Sequence, residues 1–340
     1  MSVASLNDEL QQVLVHYGLD ARTAGPVPLE TGYGFSGAQL WRIATPRGEA
    51  CLRRWPAEHP TRQRLEFIQA VLWHVDQEGY RQVAVPWETT QHAGYVAHAG
   101  HLWEVTPWIA GHANYRRARS QRKLEAAMAA LAGFHLAASS FPLPDSAVAV
   151  PQTVTERAQR TARLTEGGLE VLASHVRRRA GLDLAQAEEV LDLAARSLPA
   201  VSQMIERATS VRAPILPAIR DVWHDHVIFV DEEVAGIVDF GALRPDTAAA
   251  DIARLLGSLV DDDLQGWRAG LEAYGAARAL TLDELALVEA LDRASVLLSP
   301  LQWIEWLYVE QRQFGDPARV GRRLEELLVR LRHMAGVRRG

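Results

Sequence analysis

Two aspartates late in the chain have the spacing and surroundings for phosphoryl transfer. Asp221 sits in Ile219-Arg220-Asp221-Val222-Trp223-His224-Asp225-His226-Val227-Ile228-Phe229, and Asp239 in Gly236-Ile237-Val238-Asp239-Phe240-Gly241. Between them the residues read as a β-hairpin. That chemistry asks for one carboxylate to orient an acceptor hydroxyl and another to hold a divalent cation against phosphate. Arg-Asp followed by Asp-Phe-Gly in this order argues against two unrelated turn aspartates. His224, Asp225, His226 and Asp239 also read as a transition-metal donor set. The histidines, however, stand at the mouth of an apolar strand rather than on a helix.

A second group of residues lies near the N-terminus. Gly32-Tyr33-Gly34-Phe35-Ser36-Gly37 has the form G-x-G-x-x-G. A dinucleotide-binding loop of that form must lead from a strand into a helix. Here it leads into the alternating Leu40-Trp41-Arg42-Ile43 and a turn, the context of a glycine-rich hairpin folded over nucleotide phosphates. Gly32, Gly34, Ser36 and Gly37 are the candidate phosphate-facing positions, because backbone without a Cβ can approach closely. A plain flexible loop is the alternative. Arg53, on the strand Ala50-Cys51-Leu52-Arg53, is the cation expected at the α- and β-phosphates. Glu66, on the next helix, is the acid expected to hold it. An exposed strand arginine and a solvated helix glutamate are the competing accounts. The stretch His101 to Gly111 reads as a strand running into a hinge, where Pro107 can offer its C=O and Ile109 its N–H to an adenine.

The elements that must position these residues change character along the chain. A capping-box-like start at Ser5 and the stripe Leu6, Leu10, Val13, Leu14, Tyr17 predict a helix over 5–17. Strands are predicted at 39–44 and 49–55 around Thr45-Pro46-Arg47-Gly48, a helix at 62–77, and strands at 95–98 and 102–106. Beyond residue 119 the period is mostly helical: 119–138, 153–165, 168–181, 184–208, 247–274, 281–298 and 316–335. One β island interrupts it, at 227–230 and 234–238. The expected class is α+β, with a small β-rich N-lobe over 1–109 and a large, mostly helical C-lobe over 110–340. A doubly wound sheet would alternate strands and helices instead.

Composition narrows the function. The 340 residues are 48% apolar and 23% charged with a net charge of −6, which is globular rather than disordered. Weak acidity argues against nucleic acid or an anionic membrane as partner. The single cysteine, Cys51, excludes a disulfide framework and suits a reducing cytoplasm. No signal-peptide pattern opens the chain, and Leu124 to Ala138 falls short of the ~20 apolar residues of a span. The only lysine is Lys123, so a strand cation must be arginine, and no Gly-Lys pair exists to build a Walker-A loop. Trp303, Trp306 and Tyr308 can line an acceptor pocket or, as aromatics at helical spacing, pack a core. Asp261-Asp262-Asp263 reads as a solvated turn or an attractor for a cationic acceptor.

The order of glycine hairpin, strand cation, helix Glu, hinge, Arg-Asp and Asp-Phe-Gly resembles the protein-kinase-like small-molecule kinases, nearest the aminoglycoside phosphotransferase and choline kinase-like family. The resemblance covers roughly residues 27–260. His135, closing Leu124 to Ala138, and Asp251, in Asp-Ile-Ala-Arg-Leu-Leu, resemble further family positions, the latter an acid that braces the catalytic loop. The implied fold is bilobal. The implied activity is ATP-dependent transfer of the γ-phosphoryl group to a hydroxyl of a small-molecule acceptor, with Mg²⁺, or Mn²⁺, as cofactor. The resemblance gives Asp221 the catalytic role and makes Asp239 a metal ligand. It aligns His226 with an Asn that ligates metal in the family, and Ile219-Arg220 with its His-Gly. Imidazole suits Mg²⁺ poorly. His226 as a ligand for a softer ion, Asp225 as the missing oxygen donor, and a catalytically inactive nucleotide-binding protein are therefore the open alternatives.

Overall fold

The computed structural model describes residues 3–29, 37–143, 147–179, 184–314 and 317–336. In chain order the helices are α1 (Val3–Leu14), α2 (Ala21–Ala24), α3 (Arg62–Gln77), α4 (Gln121–Ala138), α5 (Gln152–Arg163), α6 (Leu169–Arg177), α7 (Leu184–Ala208), α8 (Ala248–Val260), α9 (Leu264–Ala277), α10 (Leu282–Ile304) and α11 (Pro317–Met334). The strands are β1 (Val27–Pro28), β2 (Gln39–Thr45), β3 (Gly48–Arg54), β4 (Val96–His98), β5 (His101–Pro107), β6 (Val148–Ala149), β7 (Ala213–Pro214), β8 (Leu216–Ala218), β9 (Val227–Val230), β10 (Glu233–Ile237) and β11 (Arg244–Asp246). Contacts divide the chain into two units, Met1–Pro142 with Asp221–Arg244, and Leu143–Arg220 with Pro245–Gly340. Helix α4 packs on α3 and β10, which groups it and the 221–244 segment with the N-terminal sheet.

In the first unit an antiparallel sheet runs β1-β2-β3-β5-β4. Strand alternation sorts its residues onto two faces. Trp41, Ile43, Ala50, Leu52, Trp103 and Val105 point to one face, where they form a core with Leu10, Val13 and Leu14 of α1 and with Tyr17. Trp41 and Trp103 stack there, with centroids 5.6 Å apart. The other face carries the polar row Arg53 opposite Glu104, with Leu40 beside Arg53. Helix α3 starts at Thr61, whose side chain accepts from the Arg64 N–H, and buries Leu65, Ile68, Val71, Leu72 and Val75. Helix α4 starts the same way at Ser120. Its Phe134 ring meets Phe240 at 5.5 Å. Lys123 is buried, donates to Asn114 at 2.8 Å and lies over the Phe229 ring. Strands β9 and β10 pair antiparallel, with an irregularity between Val234 and Gly236.

The second unit is built on α10, which packs on α7, α8 and α11. A capping box starts α10, with Thr281 and Glu284 satisfying each other's backbone N–H. The apolar period predicted one helix over 247–274. The structure breaks it: Asp261 adopts φ +54°, and the Asp263 side chain caps α9 by accepting from the Gln265 N–H. Asp262 takes Arg330 at 2.9 Å and His333 at 2.8 Å, so this aspartate turn ties down α11. Trp303 and Tyr308 are buried, and Trp303 meets Trp306 and Phe314 with centroids 5.2 Å away in each case. Among the described residues no helix is long and apolar enough to cross a membrane.

Candidate active site

A cavity of about 220 Å³ opens within the first unit. Leu29, Leu40 and Cys51 wall it from the sheet, Ile68 and Leu72 from α3, and Ile228 and Ile237 from the β9–β10 hairpin. Apolar walls on opposite sides with a few polar groups at one end suit a flat heteroaromatic ring carrying a charged tail.

The hinge end of the cavity is set by strand geometry. Trp108 donates its N–H to the Glu49 carbonyl at 3.0 Å, while Pro107 stands opposite Ala50. Alternation then turns the Pro107 carbonyl the same way as that of Val105, which accepts the Trp87 N–H at 2.8 Å. Pro86 and Ala84 line the cavity on that side, as do Pro107 and Ile109 themselves. The hinge is pressed onto the hairpin. His112 and Phe229 exchange backbone hydrogen bonds at 2.9 and 3.0 Å. A Cβ on Gly111 would stand 2.4 Å from the Phe229 carbonyl oxygen, and Gly111 also has φ +124°. Only glycine fits that approach.

The polar end holds Arg53, Glu104 and Asp239. Arg53 reaches Asp239 Oδ1 at 3.4 Å and Glu104 Oε1 at 4.0 Å, and its guanidinium lies 4.6 Å from the Trp55 ring centroid. Glu104 is buried, and its second oxygen accepts from Gln69 Nε2 at 2.9 Å; the same Gln69 nitrogen donates to the Gly94 carbonyl. Burial raises the Glu104 carboxyl above its ordinary range, with Arg53 and Gln69 pulling it back part of the way. Burial also opposes the charge on Arg53, yet Asp239 and Glu104 together hold it more firmly protonated than usual. For Asp239 burial is again the largest influence and raises the carboxyl, but Arg53, then His226 and the Gly241 N–H, outweigh it and keep it below the usual range. The site thus presents an ionised carboxylate, its side chain 40% exposed, beside a fixed cation. Burial pushes the Cys51 thiol up to about 11, so it is a wall and not a nucleophile.

Glu66 is not where the helix position implied. Its carboxylate accepts from the Tyr95 hydroxyl at 2.9 Å, and the acid facing Arg53 is Glu104, across the sheet from it. The cause is register: Arg53 and Glu104 are directly opposed on β3 and β5, whereas Glu66 is an exposed residue of α3, next to the buried Leu65. A charged residue inside His101-Leu102-Trp103-Glu104-Val105 was the available signal, since an acid in an apolar strand needs a partner. Gly32, Gly34 and Ser36 lie outside the described residues. Gly37, just before β2, has φ +76°.

Asp221 and His226 flank the short turn before β9. His226 Nδ1 lies 2.8 Å from the Asp221 carbonyl oxygen, and Trp223 Nε1 donates to His226 Nε2 at 2.7 Å. Nε2 is also 3.7 Å from Asp239 Oδ2. One imidazole therefore joins the Asp221 backbone to the Trp223 indole, beside the Asp239 carboxylate. Both ring nitrogens of His226 thus have partners within the protein. The residues just before Asp221 are held separately, within the second unit. The Ile219 and Arg220 N–H groups donate to the two Asp251 oxygens at 2.7 and 2.5 Å. Arg220, at φ +66°, pairs with Glu156 and, at 3.3 Å, with Asp246.

A profile of the phosphotransferase enzyme family matches residues 32–291. The chain belongs to the phosphotransferase enzyme family. A homoserine kinase of Chelativorans sp. (strain BNC1) is 30% identical over 186 residues, which cover 53% of this chain and 51% of that protein. The chain thus spans about half the length of the curated relative it matches. Two solved structures share the fold over nearly their full lengths. An aminoglycoside phosphotransferase from Alicyclobacillus acidocaldarius has a TM-score of 0.66 at 19% identity, covering 96% of this chain and 94% of that one. A spectinomycin phosphotransferase, solved with ADP and spectinomycin, has a TM-score of 0.69 at 11% identity, covering 98% of each chain. At those identities the likeness is one of fold: the α+β protein-kinase-like fold expected above.

Proposed function

We propose that this protein is an ATP-dependent kinase that transfers the γ-phosphoryl group to a hydroxyl of a small-molecule acceptor. The observation that carries the reading is the convergence, in one cavity, of the Pro107–Ile109 backbone at one end with Arg53, Glu104 and Asp239 at the other. That arrangement suits adenine at the hinge and phosphate at the cation. Asp221 orients the acceptor hydroxyl and takes its proton as the oxygen attacks the γ-phosphorus. The bond to the bridging oxygen breaks, and ADP leaves with that electron pair. Arg53, fixed by Glu104, bears on the α- and β-phosphates, and Gly32, Gly34, Ser36 and Gly37 cover them.

A divalent cation, Mg²⁺ or Mn²⁺, would neutralise the phosphate charge in such a site. Its fit here is with Asp239, an ionised and accessible carboxylate. Among the described residues no group of three or more His, Cys, Asp or Glu side chains could hold a metal. Mg²⁺ characteristically takes one or two carboxylates and completes its shell with phosphate oxygens and water, so a single protein acid beside the nucleotide is in keeping. A second reading, a nucleotide-binding protein without turnover, is favoured by the engagement of both His226 nitrogens.

ATP consumption across a panel of hydroxyl acceptors separates the two. Homoserine and aminoglycoside-type aminocyclitols head the panel, because they are the substrates named for the relatives. Acceptor-dependent ADP release that disappears in Asp221→Asn supports the kinase. Nucleotide binding with no acceptor-dependent turnover supports the alternative.

A further inference from the structure

We propose that Trp223 and His226 form a positioning pair for Asp221, and that His226 is not a metal ligand, so that Asp239 alone carries the protein's hold on the cation. The inference deepens the phosphotransferase reading and rests on it.

The argument is one of donors and acceptors. An indole nitrogen only donates, and a backbone carbonyl only accepts. Trp223 Nε1 therefore obliges His226 Nε2 to be the unprotonated nitrogen, at 2.7 Å. The Asp221 carbonyl obliges Nδ1 to carry the hydrogen, at 2.8 Å. These two demands select the same neutral tautomer, so neither conflicts with the other. The lone pair that a metal would need points at the indole hydrogen. His226 is buried, and the Trp223 ring stands edge-on to it with centroids 5.6 Å apart. A flip of the imidazole would break both hydrogen bonds at once.

The pair ties Asp221 to the hairpin that carries Asp239. His226 is the last residue before β9, its N–H donates to the Trp223 carbonyl at 2.8 Å, and its carbonyl accepts the Val238 N–H at 2.9 Å. Asp221 is thus connected through one side chain to the residue preceding Asp239. Asp221 is an exposed residue, and the hydrogen bond from His226 to its carbonyl fixes the backbone from which its side chain projects. A catalytic group displaced by about 1 Å can lose on the order of 100-fold in rate.

The test uses the full chain. With ¹⁵N-labelled histidine, the proposal expects His226 in the Nδ1–H form, with Nε2 unchanged when Mg²⁺ and ADP are added. An Nε2 resonance that leaves the unprotonated range on that addition overturns it. Mg²⁺ dependence supplies the second arm. His226→Leu and Trp223→Phe are expected to lower kcat by at least ~10-fold while the nucleotide KM and half-saturating Mg²⁺ stay within ~2-fold. A ~10-fold rise in half-saturating Mg²⁺ in His226→Leu overturns the proposal, as does an unchanged kcat in both Leu and Phe variants. Mn²⁺–ADP binding to the same variants, with Asp239→Asn as the weakened control, reads the metal claim without turnover. Failure of the kinase reading, seen as no turnover in the unmodified protein, is thereby kept apart from failure of this one.

Discussion

Each unit of the molecule buries an arginine among acids, and the two clusters are built to opposite ends. In the first, Arg53 faces Glu104 and Asp239, and Asp239 keeps part of its carboxylate open to the cavity. In the second, Arg220 faces Glu156 and Asp246, and Asp246 is fully buried. Its oxygens accept from the Thr153 and Thr247 N–H groups at 3.1 and 2.9 Å as well as from Arg220. Desolvation is the largest influence on both aspartates. In Asp239 the nearby cation wins and the acid stays below its ordinary range. In Asp246 burial wins, aided by the charge of Asp251, and the acid is raised to about 6 despite Arg220. An acid that must meet a ligand is left charged and accessible; an acid that only braces backbone has every oxygen taken.

The sharpest way to break this contrast is Asp221→Asn in the first unit. Turnover should fall by roughly 10²- to 10⁴-fold, the usual worth of a positioned base, with the unfolding midpoint and nucleotide Kd little changed; steady-state kinetics beside thermal unfolding reads both. A comparable loss of stability would place Asp221 with the structural acids instead.

Asp246 should show the reverse pattern. With its pKa raised to about 6, the folded chain binds this proton more tightly than the unfolded chain does. The stability it adds is complete below about pH 4 and is lost as pH rises through about 6, a change of ~3 kcal/mol. Denaturant unfolding across pH 4–7 should therefore have a falling limb that flattens in Asp246→Asn.

A smaller effect separates Glu104 from Glu66. Glu104→Gln leaves Arg53 with one acid fewer in a buried setting. It should weaken nucleotide binding by ~10-fold and stability by about 1–3 kcal/mol, measured by calorimetric titration and denaturant unfolding. The smallest effect is expected from Glu66→Gln, within ~2-fold for nucleotide and about 0.5 kcal/mol for stability. Equal losses in the two variants would restore the helix glutamate to the role that Glu104 holds here.

How much of this was legible in the sequence follows the range of the interactions. Helix α3 spans Arg62–Gln77, the range predicted, because an apolar stripe of helical period is a local signal. The hairpin of β2 and β3 was legible in Thr45-Pro46-Arg47-Gly48 and its flanking alternation. The 247–274 helix was misread as continuous, because its apolar period runs on through Asp261 to Asp263 while a positive φ and a side-chain cap break it. Arg53 was legible as the site cation, since no lysine stands on any strand. Its partner was not, because pairing Arg53 with Glu104 depends on the register of strands about fifty residues apart in sequence. The His226 tautomer was hidden for a similar reason. It is imposed by a tryptophan three residues earlier and by a backbone carbonyl five residues earlier, and only the folded turn brings them to the same ring.

The cross-strand seat of Arg53 has a pharmacological corollary. Because its acidic neighbour belongs to the same hydrogen-bonded ladder, the Arg53–Glu104 pair is assembled whenever the sheet is. Tilting α3 outward would not disarm it. A compound that displaced α3 would remove Gln69 from Glu104 and leave the pair itself on the sheet, so a compound competing for the cavity acts more directly.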